Sequence, residues 1–352
     1  MREKRLGRWD NAKWFLICCV VFGHVANQFR SGSQITAAVQ FWMYLFHMPA
    51  FVFIAGMFSK RTIDRLRWTR AVSYGLVYLL MKLLLFAVNV YIKGFSKAKL
   101  DFLHENNVPW FALSMCWFLL ITMALRRMHT GVILAISILA GVLSGYMHYS
   151  RSFLAAARTM VFFPFFYMGY KADLKRMERA LSRTWVLVLG QMILLGSFVY
   201  VMLDYDRISP FWKLFRGRYS YKAIGKKWLL TGGGLRLGAY VVSAVLVLAL
   251  LAAMSRKRGV FSRLGERTMA VYVLHFALMR LLIYGIPGCK DWIRGSFTFP
   301  KCIVLSILLL AATSLPVFER MLRAFMDVPE KIVGGIVSVL RRIGGNHRQR
   351  MT

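Results

Sequence analysis

Six ionisable side chains lie inside long apolar stretches of this chain: His24, His47, Lys82, Arg158, His275 and Arg280. In hydrocarbon such a group is disfavoured unless it is paired or a cavity hydrates it, so each is a candidate for function. An imidazole can take and return a proton near neutral pH or act as a nucleophile, and a guanidinium can stabilise a developing oxyanion. Each also has a plain packing role. A lone His on an apolar helix more often bonds a neighbouring helix, and Lys82 and Arg280 can snorkel toward headgroups. The packing role is preferred for Lys82, Arg280 and His275.

His24 stands apart because of what precedes it. Lys13 lies eleven residues earlier, close to three helical turns, so on a continuous helix both project from one face, about 16 Å apart along the axis. They cannot touch each other, yet one long ligand can touch both. Lys13 falls where the helix would leave the cytoplasm, a place for a cation to hold phosphates. His24 falls deeper, where an extended acyl carrier would deliver its reactive end. Coenzyme A has that shape and that charge. Asp10 either forms an ordinary ion pair with Lys13 or orients a neighbouring group. By helical rise, His24 lies about 15 Å from the inner end of its segment, His47 about 16 Å, Arg158 about 18 Å and His275 about 10 Å. Several polar groups on different helices should therefore converge near one level, as a buried polar cavity requires.

The elements that must carry these residues are membrane spans. Hydrophobic residues make up 58% of the 352 residues and aromatic residues 15%, more apolar area than a water-soluble surface can hold. Stretches at about 14–29, 38–58, 71–92, 109–125, 131–149, 153–170, 185–203, 235–254, 268–287 and 300–318 are long enough, or nearly so, to cross a bilayer. The expected fold is an all-α integral membrane protein, a bundle of about ten transmembrane helices. Both termini are expected in the cytoplasm, because the connections on that side then hold 29 of the Lys and Arg residues against 15 opposite, counting Lys301 at the edge of the last stretch. Seven of those 15 fall in residues 204–234, a connection too long and polar for a turn, which is either an acceptor-binding loop or a solvated linker. The expected division is a transmembrane domain over 1–318 and a basic cytoplasmic tail over 319–352. Within the tail, apolar and basic positions alternate from about Phe325 to Arg342, so this segment should lie along the inner surface as an interfacial amphipathic helix. Arg2, Lys4, Arg5 and Arg8 before an apolar run resemble a signal peptide, but His24 within the run and the lack of a small-residue cleavage site make it a retained first span.

The net charge of +34 suits contact with anionic membrane lipids or phosphorylated ligands. The charges come in short runs between apolar blocks, with no separate basic domain, which sets nucleic acid aside. Cys18, Cys19, Cys116, Cys289 and Cys302 form no CxxC pair and read as packing residues, and the spacing of His24, His47 and His275 indicates no metal.

The stretch from Arg8-Trp9-Asp10-Asn11-Ala12-Lys13 through Gly23-His24 resembles the opening motif of the membrane acyltransferase-3 family, a basic residue followed after ten positions by a His. Phe46-His47-Met48-Pro49 with Ile54-Ala55-Gly56-Met57-Phe58 resembles the family's second-span signature, with Ala55 where a Ser more often precedes the Gly. Arg67-Trp68-Thr69-Arg70 matches its Arg-x-x-Arg element. Trp117-Phe118-Leu119, then Arg158-Thr159-Met160-Val161-Phe162-Phe163-Pro164-Phe165-Phe166 with Gly169-Tyr170, and finally Leu264-Gly265-Glu266-Arg267 with Tyr272-Val273-Leu274-His275, are similar to the fucose 4-O-acetylase-like branch. These elements occur in order over about residues 8–318. The resemblance implies a multi-pass O-acyltransferase of a cell membrane, in bacteria the cytoplasmic one. It would take acetyl groups from cytoplasmic acetyl-CoA and place them on hydroxyls of a sugar or cell-surface glycan. It makes His24 catalytic, puts Lys13 where many members carry Arg, and brings in Arg67 and Arg70 as donor-site residues. Lys keeps the charge for a phosphate but not the bidentate fork.

Acyl transfer to a hydroxyl needs a base, a stabiliser for the oxyanion and a held thioester. These roles are assigned to His24, to Arg158 or His47, and to Lys13 with Arg67 and Arg70, with an acyl-His24 intermediate left open. A rival from another class is a transporter or flippase for a glycan or small solute, using the same midplane groups without acyl transfer. A membrane sensor or scaffold is a third, and in it substitution of His24 would be silent.

Overall fold

The computed structural model describes residues 7–147 and 152–336. The basic cluster Arg2, Lys4 and Arg5 and the tail beyond residue 336 lie outside the described residues. Among the described residues there is no strand, only one isolated bridge between His104 and Phe153. The main helices are α1 (Gly7–Phe29), α2 (Gln34–Tyr44), α3 (His47–Phe58), α4 (Thr69–Lys93), α5 (Trp110–Leu125), α6 (Thr130–Leu143), α7 (Ala156–Lys171), α8 (Thr184–Leu203), α9 (Gly232–Ala253), α10 (Thr268–Gly285), α11 (Thr298–Thr313) and α12 (Pro316–Met326).

Each of the ten apolar stretches contains helix, but length separates them. Six spans are long and apolar enough to cross a membrane: α1, α2 with α3, α4, α8, α9 and α10. A seventh arises if α11 and the helix that follows, bent from it by 60°, count as one. Helices α5, α6 and α7 have 16, 14 and 16 residues. At about 1.5 Å per residue they fall short of a hydrocarbon core about 30 Å thick. The chain is thus a multi-pass bundle in which six or seven crossings rest on length and composition alone.

The core gathers around α1, α3, α5, α7 and α10, while α8 buries only Gly190 and Val201 and leaves Trp185, Met192 and Leu195 exposed. Exposed apolar faces of that extent belong against lipid. Backbones approach closely where glycine permits it. A Cβ at Gly56 of α3 would meet the Phe166 carbonyl of α7, and one at Gly169 of α7 would meet the Phe53 carbonyl of α3, so the two helices touch backbone to backbone. Gly265 stands against the Asp10 carbonyl in the same way.

Two local events aim the site residues. Pro49 has no N–H to offer the Leu45 carbonyl, so the helix breaks between α2 and α3. The Ser243 hydroxyl of α9 bonds that carbonyl at 2.6 Å instead. The break leaves His47 in the first turn of α3, its Nδ1 2.7 Å from the Met43 carbonyl at the end of α2. On α1, the buried Gln40 amide donates to the Gly23 carbonyl at 2.6 Å. Gly23 also lets the Tyr44 ring lie against the turn that carries His24.

Side-chain contacts sort the connections into two ends, the sets the charge distribution assigned to opposite sides. At one end Arg256 pairs with Glu178 at 3.0 Å, Asn11 donates to the carbonyls of Ser255 and Lys257, and the Tyr170 hydroxyl donates to Asp64 at 2.9 Å. At the other, Gln34 bonds Asp206, the Arg30 guanidinium lies 3.9 Å from the Trp212 ring, and Arg218 donates to the Asn106 carbonyl.

Candidate functional site

One face of α1 lines three cavities in series. Lys13 borders the inner cavity, Ile17, Val20 and His24 border a narrow middle one, and His24, Asn27 and Gln28 border the outer one. These positions share a face at helical spacing, which the unbroken α1 turns into a continuous stripe. The inner cavity measures about 690 Å³, the middle about 50 Å³ and the outer about 390 Å³. The middle cavity shares Phe51, Phe111, Thr268 and Met269 with the inner one, and His24, Met48, Val108 and Trp110 with the outer one. It is an apolar neck between two chambers, and His24 stands at its outer end.

The inner chamber has a charged mouth and an apolar depth. Lys13 Nζ lies 2.7 Å from Asp10 Oδ1 and 5.8 Å from the Phe58 ring centroid. Arg70 and Lys175 also line the chamber, as do the hydroxyl residues Ser59 and Thr62, with Phe51, Ile54, Phe111 and Leu119 deeper. Arg70 pairs with Asp327 at 3.1 Å and Glu330 at 3.8 Å, while Met326, beside them in sequence, lines the cavity. Arg67, expected beside Arg70, is outside the lining and 46% exposed, 3.6 Å from Glu330. The helical segment after Asp327 thus docks its acids on the Arg-x-x-Arg element. Arg8, at the head of the opening motif, is 1% exposed. It clamps α1 in place, donating to the carbonyls of Leu251 at 2.7 Å, Ala252 at 3.0 Å and Leu181 at 3.2 Å and pairing with Glu178. A cation at the last carbonyls of α9 also complements that helix's dipole.

The His24 ring centroid is 5.4 Å from that of His275 and 5.2 Å from that of Phe276. Among the described residues nothing hydrogen-bonds the His24 ring, which leaves its nitrogens to whatever enters the two cavities. His275 is fully buried. Its Nδ1 lies 2.8 Å from the Val271 carbonyl and 3.0 Å from the Tyr272 carbonyl, both acceptors, so Nδ1 carries the proton and Nε2 presents a lone pair. Nε2 is buried without a partner. The same logic gives His47, which lines the outer cavity, an Nδ1 proton directed at Met43 and a lone pair on Nε2.

The outer chamber is roofed by two connections, 94–109 and 204–231. Arg158 donates through Nη1 to the Asn107 carbonyl at 3.0 Å and through Nη2 to the Asn106 carbonyl at 3.3 Å, with the Trp110 ring 4.9 Å away. Tyr272 holds the same loop, donating to the Val108 carbonyl at 2.8 Å and accepting from the Ala112 N–H at 3.1 Å. Lys82 does not snorkel but pairs with Glu105 of that loop at 3.2 Å. From the other connection come Trp212, Phe215, Arg216, Arg218 and Tyr219. Burial alone would raise the Tyr219 phenol, but Arg216 and Arg218 outweigh it and hold the group below its usual range.

His24, His47 and Arg158, expected at one level, do line one chamber. Lys13 and Arg70 share the other. His275 and Arg280, read as packing residues, stand respectively behind His24 and in the outer lining. Trp212, Arg216, Arg218 and Tyr219 were not singled out individually as a site. Their signal was the density of basic residues in 204–234, a connection read as either an acceptor-binding loop or a solvated linker, whose residues 212–219 supply this lining. Among the described residues no group of three or more His, Cys, Asp or Glu side chains is gathered to hold a metal.

A family model described as an acyltransferase domain matches residues 6–315. No curated protein and no solved structure matches the chain.

Proposed function

Since the chain belongs to the acyltransferase-3 family and is a multi-pass membrane acyltransferase, we propose that it moves an acetyl group from acetyl-CoA to a hydroxyl of a sugar or cell-surface glycan. A place in the fucose 4-O-acetylase-like branch is part of the same proposal, as is a site in a bacterial cytoplasmic membrane with the inner chamber on the cytoplasmic side. The observation that carries the reading is the file of two chambers joined by an apolar neck, with the His24 imidazole where the neck opens. A donor with phosphates and a long flexible arm fits the inner half, and a polyhydroxylated acceptor fits the polar outer half.

In this reading Lys13 and Arg70 hold the donor's phosphates at the mouth, with Arg67 attracting them from outside. The thioester arm threads past Phe51 and Phe111. His24 takes the proton from the acceptor hydroxyl as its oxygen bonds to the acyl carbon. The tetrahedral oxyanion is met by the Arg158 guanidinium, since His47, whose Nδ1 proton is directed at Met43, has no N–H to offer. The carbon–sulfur bond then breaks, and the imidazolium returns its proton to the thiolate. His275 acts as a positioning residue, its Nε2 lone pair available to an N–H of His24. The family match favours transfer over carriage of a solute through the bundle. Incubation with donor alone followed by intact-mass measurement separates direct transfer, which leaves the mass unchanged, from an acyl-His24 intermediate.

The test uses purified protein and radiolabelled acetyl-CoA. Lys13→Ala and Arg70→Ala should each raise the donor KM about tenfold or more, as loss of a charge-assisted contact does, and added salt should raise it in the wild type. Arg67→Ala should have a smaller effect. An unchanged donor KM in both of the first two variants would remove the inner chamber from this role.

A further inference from the structure

The acceptor's chemistry can be narrowed further, on the premise that the outer chamber is the acceptor site. Among the described residues four guanidinium groups line it, Arg158, Arg216, Arg218 and Arg280, and no carboxylate does. Each is held by neutral partners. Arg158 bonds the carbonyls of Asn106 and Asn107, and Arg216 donates to Asn27 Oδ1 at 3.3 Å between the rings of Tyr44 and Trp212. Arg218 donates to the Tyr219 hydroxyl at 2.9 Å, and Arg280 to Asn89 Oδ1 at 2.8 Å, its Nε buried without a partner. Glu105, on the loop beneath Arg158, is already engaged by Lys82 and by the Asn107 N–H.

The inner chamber shows that this is not a mere shortage of acids. There Lys13 has Asp10 at 2.7 Å and Arg70 has Asp327 at 3.1 Å. In the outer chamber four like charges converge with no carboxylate in the lining among the described residues, and Glu105 behind Arg158 is shared with Lys82. This is disfavoured in a poorly solvated enclosure until an anion arrives. Guanidinium forks match a planar carboxylate or a phosphate in two-point contact. A neutral sugar would need only the amides and hydroxyls that Asn27, Gln28 and Tyr44 already supply.

We propose that the acceptor is an anionic saccharide. Its carboxylate or phosphate sits between Arg216 and Arg218, and the hydroxyl to be acylated points at His24. The charge thereby sets both the specificity and the register of the sugar.

The experiment uses the full chain carrying His24→Ala, so that bound sugars are not consumed, with coenzyme A at saturation so that the inner cations are occupied. Glucuronate, glucose 1-phosphate, glucose and inorganic phosphate are titrated by calorimetry. Both anionic sugars should bind about tenfold or more tightly than glucose, and glucose 1-phosphate more tightly than inorganic phosphate. The preference for charge should fall as salt rises. It should vanish in Arg216→Gln/Arg218→Gln, with retained coenzyme A binding certifying that the variant is folded; were that variant unfolded, the single variant Arg216→Gln should weaken the preference. Glucose binding as well as glucuronate would overturn the proposal. So would a charge preference that survives the substitutions, an absence of binding by either anionic sugar, or inorganic phosphate equalling glucose 1-phosphate. Failure of the broader reading looks different: wild-type protein in the same preparation would neither hydrolyse acetyl-CoA nor transfer from it.

Discussion

His24 has no hydrogen-bonding partner among the described residues, so the groups nearest its ring matter most for its orientation. His275 is the nearest of these that can accept a proton's bond, with rings 5.4 Å apart and an orphaned Nε2. If it steers His24, His275→Ala should lower kcat about tenfold, the worth of one buried hydrogen bond, and leave the donor KM in place. His275→Gln, whose amide oxygen can accept the same bond, should recover part of the loss. A purely structural His275 would instead lower yield and thermal stability with kcat per folded molecule intact. Spacing made the Lys13–His24 pair legible, because three turns of one helix fix both face and distance. It could not reveal His275, because two rings on helices 251 residues apart in sequence leave no local trace. Nor could it distinguish Arg8, a buried clamp, from Lys13, a cavity residue, since both are cations at one helix end.

Among the elements, the motif glycines have a packing reason. Gly56 and Gly169 each admit the other helix's backbone, and α3 brings His47 and Met48 to the site only while it lies flat on α7. Gly56→Val or Gly169→Val should destabilise the protein by about 1–3 kcal/mol or more, as overpacking does, lowering Tm in detergent. An unchanged Tm would show that the contact is not tight. The segment after α12 behaves differently. Asp327 and Glu330 hold the two arginines expected to meet the donor, and such partly exposed pairs are weak and readily exchanged. Asp327→Asn with Glu330→Gln should therefore lower the donor KM by about twofold to fivefold, and a raised KM would mean that the acids position Arg70 for the donor. The break at Pro49 was not read from the sequence, which took 38–58 as one stretch, and the surface helix expected from about Phe325 to Arg342 runs past the described residues. The docking of Asp327 and Glu330 on Arg67 and Arg70 was not legible either, because surface ion pairs depend on tertiary placement that periodicity does not encode.

On the scale of the whole molecule, the helical bundle and the grouping of its connections into two ends followed from hydropathy and charge. The number of crossings did not follow as closely. Helices α5, α6 and α7 read as spans by composition, yet at 14 to 16 residues they are shorter than a bilayer's core. Burial inside the bundle explains part of this, since α7 buries most of its residues against neighbours and needs no full lipid-facing length. A chamber lies on either side of the neck, and the imidazole at its outer opening is the claim on which the account rests. The decisive measurement is therefore acetyl transfer by purified His24→Ala protein, normalised to folded protein and accompanied by a direct coenzyme A binding titration. General base catalysis contributes about a hundred- to ten-thousand-fold, so turnover should fall by at least that lower factor, with thermal stability and coenzyme A affinity retained. Substantial turnover by well-folded His24→Ala would contradict the account and move the chemistry to His47 in the same chamber.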